Sequence, residues 1–235
     1  KKKYSLKVGV LTFEPMPKMF FNKSLKNFRI SSIEQKINLL INFKVDFIIK
    51  KKFDKSFSKT KSVDFIEKIL AKRLKAKFIF VSNNFKFGNK REGNVKQLIQ
   101  FENKCNYKII EPKPLLVKKK IISSSLIRKY LQIGKLESAN KLLNREWSIE
   151  GKVQKGKQIG KRIGFPTANI DIKNYVQARP GVYAVRIKIN KSKKYLKGIA
   201  NLGFRPTFNG KKILLEVHLF NFSGNLYNKH LTVEF

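Results

Sequence analysis

Two groups of residues in this 235-residue chain have types and spacings that could carry chemistry. The first is a glycine-punctuated stretch in which Gly156, Gly160 and Gly164 lead into Phe165-Pro166-Thr167-Ala168-Asn169. Glycine lets backbone approach a ligand closely and take positive φ. Pro166 stiffens the exit, and strand alternation sets the Thr167 hydroxyl and the Asn169 amide on one face. With Lys161 and Arg162 beside it, such a loop is a plausible cradle for a metal-bound polyphosphate. It is not a Walker A loop, because three residues separate successive glycines and Arg162 follows Lys161. Spacing alone also permits plain turns and solvated loop cations. The second group centres on Glu216 in Leu214-Leu215-Glu216-Val217-His218-Leu219-Phe220, where alternation puts Leu214, Glu216 and His218 on one face. Only 15 acidic residues are present, so candidates for a general base are few; an exposed strand carboxylate paired with lysine is the other reading. His218 reads as a packed residue rather than a ligand, and His230 as a surface one.

The elements that must position these groups differ between the two halves. Apolar runs at Lys7 to Phe13, Val45 to Ile49, Phe78 to Val81 and Tyr107 to Ile110 read as strands. Helical patterns lie between them: one capped by Ser31 or Ser32 and carrying Ile33, Ile37 and Leu40, one opening at Ser62, and one from about Asn94 to Glu102. Strands alternating with helices predict a parallel sheet covered on both faces. Ser123 or Ser124 then caps a helix to Leu131, Gly134 breaks it, and Lys135 to Leu143 forms another. From Trp147 onward turn residues recur between strand-like runs, which predicts an antiparallel barrel. The expected class is α/β followed by β, with a boundary dividing residues 1–145 from 146–235.

The formal net charge is +38, from 53 basic and 15 acidic residues, a balance that would fit a polyanion-binding surface. Only nine of the basic residues are Arg, the type favoured for planar bidentate recognition, and aromatics are not interleaved with Arg along any strand face. Lysine is spread over every segment and reads as the default surface residue, so no specific nucleic-acid partner is expected; a basic nucleic-acid-binding β-barrel is the alternative. The single cysteine, Cys105, excludes an internal disulfide and reads as a buried thiol in a reducing compartment. No apolar run approaches a membrane span, and no signal-peptide core opens the chain, so neither a membrane partner nor export is expected and the location reads as cytoplasmic.

The second half resembles the riboflavin kinase module. The blocks that carry the resemblance are Gly164-Phe165-Pro166-Thr167-Ala168-Asn169, Gly181-Val182-Tyr183-Ala184, Asn201-Leu202-Gly203-Phe204-Arg205-Pro206-Thr207, Glu216-Val217-His218-Leu219 and Leu226-Tyr227. The first half carries Thr12-Phe13-Glu14-Pro15, Asn84-Phe85-Lys86-Phe87-Gly88 with Arg91, and Ser123-Ser124-Ser125-Leu126-Ile127-Arg128. In order and spacing these are similar to the adenylyltransferase half of bacterial bifunctional riboflavin kinase/FAD synthetases. The resemblance implies a Rossmann-like nucleotidyltransferase domain followed by a small antiparallel β-barrel kinase. ATP is the implied co-substrate of both, Mg²⁺ the implied metal, and riboflavin and FMN the acceptors. It implies that Thr167 and Asn169 hold the Mg²⁺–nucleotide, with Gly156, Gly160, Lys161, Gly164 and Pro166 shaping the phosphate loop, and that Glu216 is the general base. It implies Ser123, Ser124, Ser125 and Arg128 against the ATP phosphates of the second reaction, where a helix N-terminus and a guanidinium suit phosphate. Asn84, Phe85, Phe87 and Gly88 are implied on the flavin side; the residues alone are equally a loop with two core phenylalanines.

The chain departs from the family pattern in three ways. Ser82 stands where the family usually has Gly, Ser125 replaces Thr and keeps the hydroxyl, and no histidine precedes His218. Adenylyl transfer in this superfamily relies on a His-x-x-His-type element after the first strand. The pattern therefore implies a piece of a longer protein, short of that strand and of a C-terminal helix, with FAD formation expected in the full-length parent and impaired in this piece.

Overall fold

A computed structural model of the chain describes residues 4–25, 28–155, 166–190, 192–207 and 210–235, without side chains between 204 and 212. In chain order the elements begin β1 (Gly9–Glu14), α1 (Pro17–Phe21), α2 (Ile33–Asn42), β2 (Phe47–Lys52), α3 (Lys55–Ser58) and α4 (Ser62–Asp64). A π-helix over Phe65–Arg73 precedes β3 (Phe78–Phe80), β4 (Lys86–Phe87), β5 (Gly93–Asn94), α5 (Val95–Gln100), α6 (Glu102–Cys105) and β6 (Lys108–Ile110). Next come β7 (Leu116–Val117), β8 (Lys120–Ile121), α7 (Ser124–Gln132) and α8 (Leu136–Leu143). The chain finishes with β9 (Ser148–Gln154), β10 (Ala168–Asp171), β11 (Gly181–Ile189), β12 (Leu196–Thr207), β13 (Gly210–Leu219) and β14 (His230–Glu234). Two compact units result: Lys1–Val8, Ser24–Phe47 and Ile122–Phe235 form the first, and Gly9–Lys23 with Ile48–Ile121 the second.

The first unit is built on a closed six-stranded barrel of order β10-β13-β12-β11-β14-β9, with every ladder antiparallel. Closure leaves no sheet edge exposed to pairing. Period-two alternation decides what fills it: Ile170, Ile187, Ala200, Leu215, Val217 and Leu231 are fully or almost fully buried. Their neighbours along each strand face outward.

Residues 28–42, from the first half of the sequence, are stitched to this unit. Arg29 forms a bridge to Tyr175, and the Val176 N–H donates to the Arg29 carbonyl at 2.6 Å. Ser32 caps α2 with a reciprocal capping box, its hydroxyl accepting from the Gln35 N–H and its own N–H donating to Gln35 Oε1. Gln35 Oε1 also accepts from the Tyr175 hydroxyl at 2.8 Å, while Nε2 donates to the Ser148 carbonyl at 3.1 Å and Oγ at 3.0 Å. This buried amide thereby satisfies both donors and both lone pairs, the condition under which burying a polar group is tolerated. Burial pushes the Tyr175 hydroxyl up to about 12. Strand–helix alternation would place α2 on the parallel sheet; its polar buried residue finds its partners beside the barrel instead. Gln35→Leu removes the donor to Ser148 and one partner of the Tyr175 hydroxyl, which keeps the Glu150 N–H and carbonyl within reach. It is expected to cost about 0.5–1.5 kcal/mol, read as a lower urea midpoint with unchanged slope. An unchanged midpoint would show that the node contributes nothing.

The second unit has the mixed α/β texture expected. β3 and β6 pair in parallel, Phe78 opposite Lys108 and Ile110 opposite Phe80. β1 and β2 pair as a separate two-stranded ladder rather than joining one continuous sheet. Its core gathers Phe65, Ile66, Leu70, Phe87, Leu98 and Tyr107, with the Tyr107 hydroxyl donating to the Leu98 carbonyl at 2.7 Å. Cys105 is half-buried, and burial raises its thiol.

Candidate active site

β10 is a short strand held between β9 and β13. Its Asn169 is opposite Gln154 on one side and Glu216 on the other, and Glu216 is opposite Asn201 of β12. Directly opposed residues share a face, so Asn169, Glu216 and Asn201 form one row across three strands. The row lies outside the barrel wall, because Ala168, Ala200, Leu215 and Val217 fill the interior. Asn169 is nevertheless only 7% exposed, and its Oδ1 has no hydrogen-bond partner among the described residues. Leaving such an oxygen unpaired costs about 1–3 kcal/mol, and an amide oxygen is the donor type that hard cations take. The orphaned oxygen therefore fits a bound cation. Glu216, beside it, is half-buried and so keeps contact with water.

Thr167 is exposed and immediately precedes β10. The carbonyl of Pro166 accepts from His218 Nδ1 at 2.9 Å, so the packed histidine expected from the sequence touches the residue before Thr167. Gly156, Gly160, Lys161 and Gly164 lie outside the described residues, as does Arg162. Asn201 was not singled out by its type; its only signal was membership of the Asn201-Leu202-Gly203 block, and register alone brings it beside Glu216.

Ser123 is the residue that caps α7, its hydroxyl accepting from the Leu126 N–H at 3.2 Å. Ser124 and Ser125 are exposed in the first turn. Arg128 is half-buried: Nε donates to the Phe28 carbonyl at 2.8 Å, and the guanidinium sits 3.6 Å from the centre of the Phe28 ring. Burial draws its pKa below the ordinary arginine value, yet arginine stays charged in this setting. One Nε–H is thus committed to holding residue 28.

Asn84, Phe85, Phe87 and Gly88 belong to the second unit. Phe87 is buried among Phe65 and Leu98, and Phe85 stacks on it at 5.5 Å while remaining half-buried. Asn84 Oδ1 accepts from the Ser82 hydroxyl at 2.8 Å. Gly88 takes φ +75°, and a Cβ there would lie 2.8 Å from the Ser62 backbone, so this position requires glycine twice over.

Two family models match successive stretches of the chain. The riboflavin kinase family model matches residues 143–235 and the FAD synthetase family model residues 1–126. A protein of Buchnera aphidicola (from Schizaphis graminum) named bifunctional riboflavin kinase/FMN adenylyltransferase is 43% identical over 99% of this chain and 75% of its own length. Proteins of the same name from Haemophilus influenzae and Escherichia coli K12 are 38% and 34% identical, over 98% and 99% of this chain and 75% and 74% of their own lengths. A solved structure named as a macrolide-efflux protein from Streptococcus pneumoniae superposes with TM-score 0.79 at 26% identity, covering 99% of this chain and 75% of that one. Among the described residues no helix is long and apolar enough to cross a membrane.

Proposed function

The chain belongs to the bifunctional riboflavin kinase/FMN adenylyltransferase family and is an ATP-using enzyme of flavin cofactor biosynthesis, and on that premise we propose that the Asn169–Glu216 row carries its kinase step. The small-molecule substrates of that family are riboflavin, FMN and ATP, and nothing in the comparisons favours a nucleic-acid partner.

In the kinase step the 5′-hydroxyl of the ribityl chain attacks the γ-phosphoryl group of ATP, and ADP leaves. Phosphoryl transfer asks for positioning and charge neutralisation more than for covalent chemistry. Glu216 accepts the hydroxyl proton, and its half-burial leaves room for a substrate hydroxyl in place of water. Asn169 Oδ1 and the Thr167 hydroxyl would hold Mg²⁺, with Gly156, Gly160, Lys161, Gly164 and Pro166 shaping the phosphate loop. When bound, that ion supplies charge neutralisation on the phosphates. The observation that supports this reading is the buried Asn169 oxygen, without a partner among the described residues, on a residue opposite Glu216 in the ladder.

Residues 146–235 hold this activity in the proposal, and residues 1–145 hold adenylyl transfer. Ser123, Ser124, Ser125 and Arg128 face the ATP phosphates of the second reaction, and Asn84, Phe85, Phe87 and Gly88 the flavin. The enzyme works in the cytoplasm. Adenylyl transfer is expected of the full-length parent; these 235 residues, with histidines only at 218 and 230 and no His-x-x-His element, are expected to make little FAD by themselves. The test is chromatographic, with riboflavin, ATP and Mg²⁺ in one tube and FMN, ATP and Mg²⁺ in another. FMN in the first tube with little or no FAD in the second is the expected result. Ready FAD formation would remove the histidine argument, and a folded chain that makes no FMN would remove the kinase reading.

A further inference from the structure

We propose that His218 is a positioning residue of the kinase site: it clamps the Pro166 carbonyl and thereby sets the backbone of Thr167 beside Glu216. This inference rests on the reading of Thr167, Asn169 and Glu216 given above.

The β10–β13 ladder begins at Ala168 opposite Val217, so Pro166 and Thr167 stand beyond its paired residues. Pro166 has no N–H with which to extend the ladder. The hydrogen bond described at this point is the one from His218 Nδ1 to the Pro166 carbonyl, 2.9 Å long. A carbonyl oxygen only accepts, so Nδ1 carries the proton, and both the Nδ1–H tautomer and the imidazolium make the bond. The ring is held from a second side by Phe220, edge to face at 5.7 Å and 69°. The strand beneath has little freedom to shift, since a Cβ at Gly198 of β12 would collide with the His218 carbonyl oxygen. Glu216 and His218 are two residues apart in β13 and so stand on one face, with Phe220 in the turn just beyond the strand. A single strand thus carries both the general base and the clamp that fixes the metal-binding turn relative to it. Positions of reacting groups matter at the ångström level, so loosening the turn is felt in nucleotide binding first.

Two variants separate the clamp from simple packing. His218→Phe keeps a ring against Phe220 and removes the donor; His218→Asn returns an N–H close to the Nδ1 position. Kinase kinetics of the full chain are expected to show KM for MgATP raised about threefold to tenfold in H218F, the worth of one hydrogen bond. KM for riboflavin and the thermal midpoint stay near wild type, and H218N recovers most of the loss. Wild-type KM for MgATP in H218F overturns the inference. So does an equal rise in both KM values with a lowered midpoint, or an H218N that is no better than H218F. Glu216→Gln is assayed alongside. Wild-type turnover in E216Q overturns the site reading and this inference with it, whereas an inactive E216Q beside an unaffected H218F removes His218 alone.

Discussion

Glu216→Gln lowers kcat for FMN formation by about 10²–10⁴-fold, the usual worth of a positioned general base. The substitution is nearly isosteric and keeps hydrogen-bonding capacity, so the ladder contacts of Glu216 with Asn169 and Asn201 should persist. What it removes is the ability to take a proton from the ribityl hydroxyl. KM values should therefore change little, because an interaction confined to the transition state appears in kcat and kcat/KM equally. Thermal melting at the wild-type midpoint must accompany the loss, since β13 lies in the barrel wall and a folding defect would mimic it. A variant that keeps more than a tenth of wild-type kcat would move the base elsewhere.

Trp147→Ala lowers the stability of the barrel unit by about 3–5 kcal/mol. Trp147 is fully buried at the junction between α8 and β9, and four interactions meet on it. Its indole N–H donates to the Ile30 carbonyl at 2.8 Å, and its backbone N–H to Asn140 Oδ1 at 2.8 Å. Its carbonyl accepts from the Phe235 N–H at 2.9 Å, and its ring packs on that of Phe235 at 5.1 Å. Alanine opens a cavity in the core and strands the Ile30 carbonyl, and both effects destabilise. At about 2–4 °C per kcal/mol for a chain of this size, the melting midpoint should fall by roughly 10 °C. Trp147→Phe fills much of the volume without the donor and should lose less. A fall of under 3 °C in W147A would mean that the junction repacks without it.

The local features were legible in the sequence because their causes are local. The caps at Ser32, Asn94 and Ser123 follow from short polar side chains that reach the helix N–H two or three residues on. The alternation along Leu214 to Leu219 needed only the two-residue period of a strand. The ordered motif blocks identified both activities of the family, since each block is contiguous and readable without a partner.

Contacts distant in the chain were a different matter. Asn169, Glu216 and Asn201 stood in three separate blocks of the sequence, Asn201 with no role given to it, and the closed barrel's register made them a row. Nothing local reveals that Asn169 Oδ1 is buried without a partner among the described residues, because burial depends on what other segments bring against it. Gln35 was an unremarkable helix residue until Tyr175, 140 positions away, supplied its partner. His218 likewise became informative only once Pro166 was seen at its Nδ1. The sequence by itself determined the elements, the family and the candidate chemical groups, for these depend on residue type and spacing. Tertiary structure decided which groups face one another and which polar atoms are buried, since both follow from long-range pairing that no local period encodes.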